Sequence, residues 1–522
     1  MRFLVFHGYL LRGTGSNVYN AALARALVAL GHEVHLLCQD RHARELEWVD
    51  AVADWDEGVL RVEARSAHPR LTVYRPPIGR VLPVYVADEY EGFEAKPYPQ
   101  CSDSEIEAYL AANVSAVEEV VRHAHIEAAL ANHLIMGPVV LARALAGAVP
   151  YAVKVHGSAL EYTVRPHYSR FGPYAREGLD GAEAVLVGSR HTAESLWEVM
   201  GHAGLEARTR LGPPGVDTAT FRPRPGPEAA AALSSLATRV GTATASWGGE
   251  AGAGAALGSL DPLREPIVSY VGKLIVSKGV DLLLAAWPLV TAEAPDARLC
   301  VVGFGTYRDG LARLVAALAR ADLEELREVA RLGRELEGGP AGELAHLSAF
   351  LDDLTGERRD RYLAAAPAAA ASVVFTGRLE HEDLPDLLGA CLAQVVPSTF
   401  PEAFGMVAAE AAACGALPLS ASHSGLAEVT DILRPALDPP LGDLLAFARG
   451  PSSVEEIAER LVRWLRLDPT VRDRARESLS TVAHARFGWE RVASGVVAAA
   501  HGRLADLPEA GASASAVGEG SG

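Results

Sequence analysis

Short apolar runs, each followed by a loop and then a helical pattern, organise this chain. The first run is RFLVFH at residues 2–7; a glycine-rich loop, GYLLRGTGSN, follows it. A helical pattern then extends from about Val18 to Leu30 and stops at Gly31, and Glu33–Cys38 reads as a second strand. Strand, helix, strand is the opening βαβ unit of a parallel sheet. Further strands are expected at Ala128–Ala131, Tyr151–Val155 and Ala184–Val187, and the alternation indicates a doubly wound α/β domain. A second alternating series starts at Ile267, with strands at Ile267–Val271, Arg298–Val302, Val373–Thr376, Gln394–Pro397 and Ala416–Ser420.

Between the two series the composition changes. PPGVDTATFRPRPGPE leads into an Ala-, Ser- and Gly-rich run that ends near Leu260. This predicts a Rossmann-like domain over residues 1–212, a linker with a flexible insertion over 213–262, and a second Rossmann-like domain over 263–484. The second domain carries a helical insertion at about 324–370, in which LEELREVARLGRELEG is amphipathic. A helix at about 485–505 is expected to pack back on the first domain, and the tail 509–522 is expected to be disordered.

At 522 residues, two large domains are the natural expectation. No segment approaches the run of about 20 apolar residues that spans a bilayer. MRFLVFHGYL reads as a first strand and not as a signal peptide. Five scattered cysteines (Cys38, Cys101, Cys300, Cys391, Cys414) support neither a disulfide framework nor a zinc site, and a reducing cytoplasm is the expected location. A net charge of −18 argues against nucleic-acid binding, so an anionic ligand needs a local basic site.

The chain offers one. Lys273 and Lys278, in GKLIVSKG after the strand Ile267–Val271, can bring two point charges to a diphosphate. The richest stretch is PSTFPEAFGMVAAEAAACGALPLSASHSGLAEV, residues 397–429. Glu402 lies in its first loop; a short helix is expected from about Gly405 to Gly415, and its free N–H groups favour a phosphate. Glu410 is the only charged residue between Phe404 and Ala427. No Lys or Arg lies within one turn of it, so ligand hydroxyls are its expected partners. Two carboxylates flanking a diphosphate suit a sugar at one end and a ribose at the other. In the first domain, Gly13 and Gly15 let backbone N–H groups approach a phosphate. A dinucleotide fingerprint competes for that loop, with Asp40 as its ribose acid, but Val18 stands at the third glycine position. Asp54-Trp55-Asp56 has the form of a metal-binding Asp-x-Asp. The charged run before it favours a solvated acidic loop. Tyr85, Tyr90, Phe93 and Tyr98 read either as an acceptor platform or as a loop packing its own aromatics.

Glu402 and Glu410, seven residues apart in PEAFGMVAAEAAACG and followed by Ser424-Gly425 and Glu428, resemble the Glu-x7-Glu signature of the retaining glycosyltransferases of family 4. The lysine loop, GSRHTAESL, PPGVDTATF, VVGFGTYRDGL and FTGRLEHEDLPDLL are similar to that family too. Lys273 stands where Arg is common, which keeps the charge and loses a bidentate contact. The resemblance covers most of residues 1–220 and 263–430. It implies a GT-B fold, two doubly wound Rossmann-like domains facing each other across a cleft. It also implies transfer of a hexosyl group from a UDP- or GDP-sugar to an acceptor hydroxyl, with retention and without a metal or other cofactor. The acceptor is a saccharide, small molecule or lipid-linked glycan that the sequence leaves unnamed. By resemblance the catalytic residues are Glu402, His156 and Lys278. Gly13, Gly15, Lys273, Lys278, Arg378, Leu379, Glu402, Phe404, Gly405, Met406 and Glu410 hold the donor. The rival readings are a nucleotide-sugar epimerase or other GT-B enzyme, and a nucleotide-sugar-binding protein with a degenerate site.

Overall fold

A computed structural model describes residues 1–13, 15–85, 90–242 and 248–511. The chain divides into two compact units: Met1–Gly215 together with the segment from Phe487 onward, and Val216–Arg486.

The first unit is built on eleven strands: β1 (Arg2–Phe6), β2 (Glu33–Leu37), β3 (Ala51–Asp56), β4 (Val59–Ala64), β5 (Leu71–Arg75), β6 (Val81–Val84), β7 (Glu94–Pro97), β8 (Ala128–Asn132), β9 (Tyr151–Val155), β10 (Ala184–Val187) and β11 (Thr209–Leu211). Nine of them form one sheet in the order β11-β10-β9-β8-β1-β2-β5-β3-β4, while β6 and β7 pair separately. Among the described residues, only β4 runs antiparallel in the large sheet. Phe3, Leu4, Val5 and Phe6 are all buried, as a strand covered on both faces requires. The chain leaves β1 toward β2 on one side and later returns to β8 on the other. That reversal places a topological switch point between β1 and β8, where open α/β sheets bind ligands beyond the carboxyl ends of their strands. The helix Trp489–Ala500 belongs to this unit and buries Ala493, Val496 and Ala499 in its core.

The second unit has six parallel strands: β12 (Ile267–Val271), β13 (Arg298–Val302), β14 (Val373–Gly377), β15 (Ala393–Val396), β16 (Leu417–Ala421) and β17 (Ala446–Phe447). Their order is β14-β13-β12-β15-β16-β17, with the switch point between β12 and β15.

Three expectations change. The first helix starts at Gly15, not Val18. The segment expected as a flexible insertion in 213–262 carries helices at Gly226–Thr242 and Ala253–Gly258, with Leu233, Leu236 and Leu257 buried. Alanine is the strongest helix former, and an Ala-rich run with a leucine stripe folds when it has a surface to cover. Asp54 and Asp56 end strand β3 and are not in a loop. Glu57 and Gly58 both have positive φ (48° and 80°), the two-residue turn that lets β4 fold back on β3. Beyond Leu323 lie the helices Leu323–Leu332, Ala345–Asp353 and Gly356–Ala371. Of the tail expected to be disordered, residues 512–522 lie outside the described residues. Among the described residues no helix is long and apolar enough to cross a membrane.

Candidate functional site

At the switch point of the second unit, the loop after β12 and the loop after β15 lock together. Thr399 N–H donates to the Ser277 carbonyl at 2.9 Å. Gly279, at φ +66°, lies so close to Pro397 that a Cβ there would come within 2.0 Å of its carbonyl oxygen. This close approach brings Lys278 and Glu402, 124 residues apart in the chain, into a hydrogen-bonded ion pair. The Ser398 hydroxyl also donates to Glu402 Oε1. From the other side, Glu402 N–H donates to Ser424 Oγ at 2.8 Å, Gly425 N–H donates to the Glu402 carbonyl at 3.0 Å, and His423 Nε2 donates to the Ser398 carbonyl at 2.7 Å. Burial works to raise the Glu402 pKa. The Lys278 ammonium, with hydrogen bonds from Lys278 and Ser398, outweighs it and holds the carboxyl below its ordinary value.

The helix Met406–Ala413 follows directly, entered through Gly405 at φ +113°, where a Cβ would lie 2.5 Å from Leu426. Phe404 is buried and Met406 half-buried. Glu410 is 2 % exposed and accepts a hydrogen bond from His381 Nε2 at 2.7 Å. Within the protein, its partner is this histidine, which the sequence reading did not find. Burial alone would lower the His381 pKa; the Glu410 carboxylate beside it outweighs that and raises it. Arg378 pairs with Glu380 at 2.8 and 2.7 Å, its N–H donates to the Gly248 carbonyl at 2.8 Å, and Leu379 is buried. The Lys273 ammonium stands 5.9 Å from the centre of the Phe304 ring, and its carbonyl accepts from the Tyr270 hydroxyl at 2.8 Å.

In the first unit, His156 follows β9, Gly13 precedes the first helix and Gly15 opens it; Thr14 between them lies outside the described residues. His156 Nε2 lies 2.8 Å from Asn132 Oδ1, with Tyr19 edge-on at 5.0 Å and His133 at 4.9 Å. Lys154, two residues earlier, is buried; its ammonium donates to the Gly212 carbonyl at 2.5 Å and lies 5.6 Å from the Tyr19 ring. Burial pushes its pKa down to about 7. A lone lysine inside YAVKV was the signal for it.

The competing candidates are occupied elsewhere. Both oxygens of Asp40 accept backbone N–H groups, from Leu11 and His42, each at 2.9 Å. The ribose acid of a dinucleotide fingerprint would need them free. Asp54 is paired with Arg75 and Asp56 with Arg61. Tyr98 is buried; Tyr85 stacks on it at 5.1 Å and lies 4.7 Å from His133, so these two rings pack inward and form no platform. Half-buried Tyr90 lies 6.1 Å from Tyr9, and the Arg41 guanidinium covers Phe93 at 5.1 Å. Among the described residues no group of three or more His, Cys, Asp or Glu side chains is arranged to hold a metal ion.

The sequence matches the family described as Glycosyl transferase 4-like domain over residues 14–215 and that described as Glycosyl transferases group 1 over residues 352–478. It is 28% identical over 319 residues to a D-inositol 3-phosphate glycosyltransferase of Xylanimonas cellulosilytica, covering 60% of this chain and 56% of that protein. The chain thus spans about half the length of that relative. A D-inositol 3-phosphate glycosyltransferase of Frankia alni is 26% identical over 499 residues, covering 92% of this chain and 93% of that one. Among solved structures, sucrose-phosphate synthase from Thermosynechococcus elongatus matches with a TM-score of 0.57 at 19% identity, covering 97% of this chain and 99% of that chain. HepE from Anabaena, in complex with UDP and glucose, matches with a TM-score of 0.56 at 15% identity, covering 97% and 100%. These two structures share the fold of this chain.

Proposed function

Because this chain belongs to the glycosyltransferases of the group 1 and 4-like families, we propose that it moves a hexosyl group from a nucleotide diphosphate sugar to an acceptor hydroxyl, with retention and without a metal. The observation that carries this reading is the Lys278–Glu402–Ser398 cluster at the β12/β15 switch point, beside the start of the helix that holds Glu410.

The chemistry follows from the residues. A departing diphosphate gains negative charge as the glycosidic bond breaks, and Lys273, Lys278 and the N–H groups at the start of the helix Met406–Ala413 are preorganised to meet it. Glu402 is kept ionised by Lys278, so it accepts hydrogen bonds from sugar hydroxyls and orients the ring. Glu410 takes the ribose of the leaving nucleotide, and the backbone at Arg378 and Leu379 meets the base. Attack comes from the face the diphosphate leaves, with a donor phosphate oxygen taking the acceptor's proton.

A thermal-shift screen against UDP-, GDP- and ADP-sugars tests the proposal: a selective rise with one base is expected, and no rise with any would count against it. In Glu410→Ala, nucleotide affinity measured by calorimetry should weaken by about tenfold or more, as loss of a buried charge-assisted contact implies. Unchanged affinity would remove the ribose role. EDTA should leave initial rates intact, whereas loss on chelation and recovery with a divalent ion would return attention to Asp54 and Asp56.

A further inference from the structure

Adjacent strands of the first unit end on three groups that fix one another's protons. Phe6 closes β1, Asn132 closes β8 and His156 follows β9. Asn132 Nδ2 donates to the Phe6 carbonyl oxygen at 3.1 Å. A carbonyl oxygen can only accept, so the NH2 end of the amide must face Phe6 and the oxygen must face His156. That oxygen is 2.8 Å from His156 Nε2. An amide oxygen likewise only accepts, so Nε2 carries a proton. In a neutral ring the lone pair is then on Nδ1, which has no hydrogen-bond partner among the described residues.

The surroundings keep the ring neutral. The titratable groups that bear on it are His133 just after β8, His7 just after β1, Lys154 from β9 and the Tyr19 phenol from the first helix. None is a carboxylate. Burial, then these basic neighbours, holds its pKa well below the ordinary histidine value. His133 is itself buried without a hydrogen-bond partner on either ring nitrogen, and burial holds its pKa well below the ordinary value.

We propose that Asn132 is a positioning residue that fixes His156 as the Nε2–H tautomer and leaves Nδ1 as a hydrogen-bond acceptor for a sugar hydroxyl. The consequence for transfer rests on the glycosyltransferase reading; the tautomer does not. An acceptor nitrogen takes a hydrogen bond from a sugar hydroxyl, whereas the opposite tautomer or an imidazolium would present a donor there. The identity of Asn132 matters for this reason. An aspartate would accept from Nε2 equally well but would favour the imidazolium.

Long-range 1H–15N correlation on the full chain labelled at histidine reads the tautomer directly, with the His156 signals assigned by their loss in His156→Gln. At neutral pH the wild-type protein should show a protonated Nε2 and an unprotonated Nδ1. Asn132→Asp should protonate both nitrogens and lower kcat by about 10²-fold, with the donor KM little changed. Asn132→Leu should show both tautomers. A wild-type Nδ1–H ring or imidazolium, or an unaltered Nε2–H pattern in Asn132→Leu, would overturn the proposal. If the variants fail to fold, the wild-type spectrum still decides. A wild-type Nε2–H ring in a protein that binds no nucleotide sugar would uphold the tautomer and end the transferase reading.

Discussion

Replacing Glu402 by alanine is expected to lower kcat/KM for sugar transfer by about 10³-fold while the protein remains folded. The Glu402 carboxylate accepts from Lys278 and Ser398, while the residue's backbone N–H donates to Ser424 Oγ and its carbonyl accepts from Gly425 N–H. Alanine keeps both backbone bonds, so the loop keeps its path and only the charge and its acceptor atoms are lost. The Lys278 side chain is 30% exposed, so its ammonium can be rehydrated when the partner is gone. The loss should therefore fall on orientation of the transferred sugar more than on stability. Initial rates together with the melting temperature check this. Near-normal turnover in a folded Glu402→Ala protein would remove Glu402 from the mechanism.

If the proposed function holds, Lys278→Met is expected to cost about 10²–10³-fold in kcat, because a preorganised charge assigned to the departing diphosphate disappears. It has a second consequence that separates it from simple damage. In the wild type the folded pKa of Glu402 is depressed, so ionisation of this group contributes stability above its unfolded pKa and that contribution is lost as the pH falls through the folded value. Without the ammonium, burial becomes the main influence and pushes the carboxyl upward. The acid limb of the pH–rate profile should therefore move to higher pH in Lys278→Met. If activity falls but the acid limb stays in place, Lys278 is not the cation that keeps Glu402 ionised.

Much of this arrangement was legible in the residues. The strands of both series lie within one or two residues of their expected positions, because fully buried parallel strands are written as continuous apolar runs. Glu402, Gly405 and Glu410 could be placed around the start of a helix because the Ala-rich run is bracketed by Gly405 and Gly415. What stayed hidden were partners made by the sheet. His381 reaches Glu410 across 29 residues and Asn132 reaches His156 across 24. Periodicity identifies strands but does not say which loops will be neighbours. Glu410 gains a protein partner for that reason: His381 comes from outside its helical turn. The hairpin at Asp54–Asp56 was missed because the charged stretch ahead of it masked a two-residue turn at Glu57-Gly58. The Ala-, Ser- and Gly-rich run after residue 225 shows the reverse error, in which composition suggested flexibility and a buried leucine stripe made helix.

In the proposed function, the Lys278–Glu402 cluster is the part of this protein that engages the donor. Titration calorimetry of UDP-, GDP- and ADP-hexoses, run in parallel on the wild type and Lys278→Met, tests it most directly. One nucleotide sugar should bind the wild type with a single site and bind the variant at least about tenfold more weakly, since a charged contact to the diphosphate is gone. Equal binding to both proteins, or binding of none by the wild type, would contradict it.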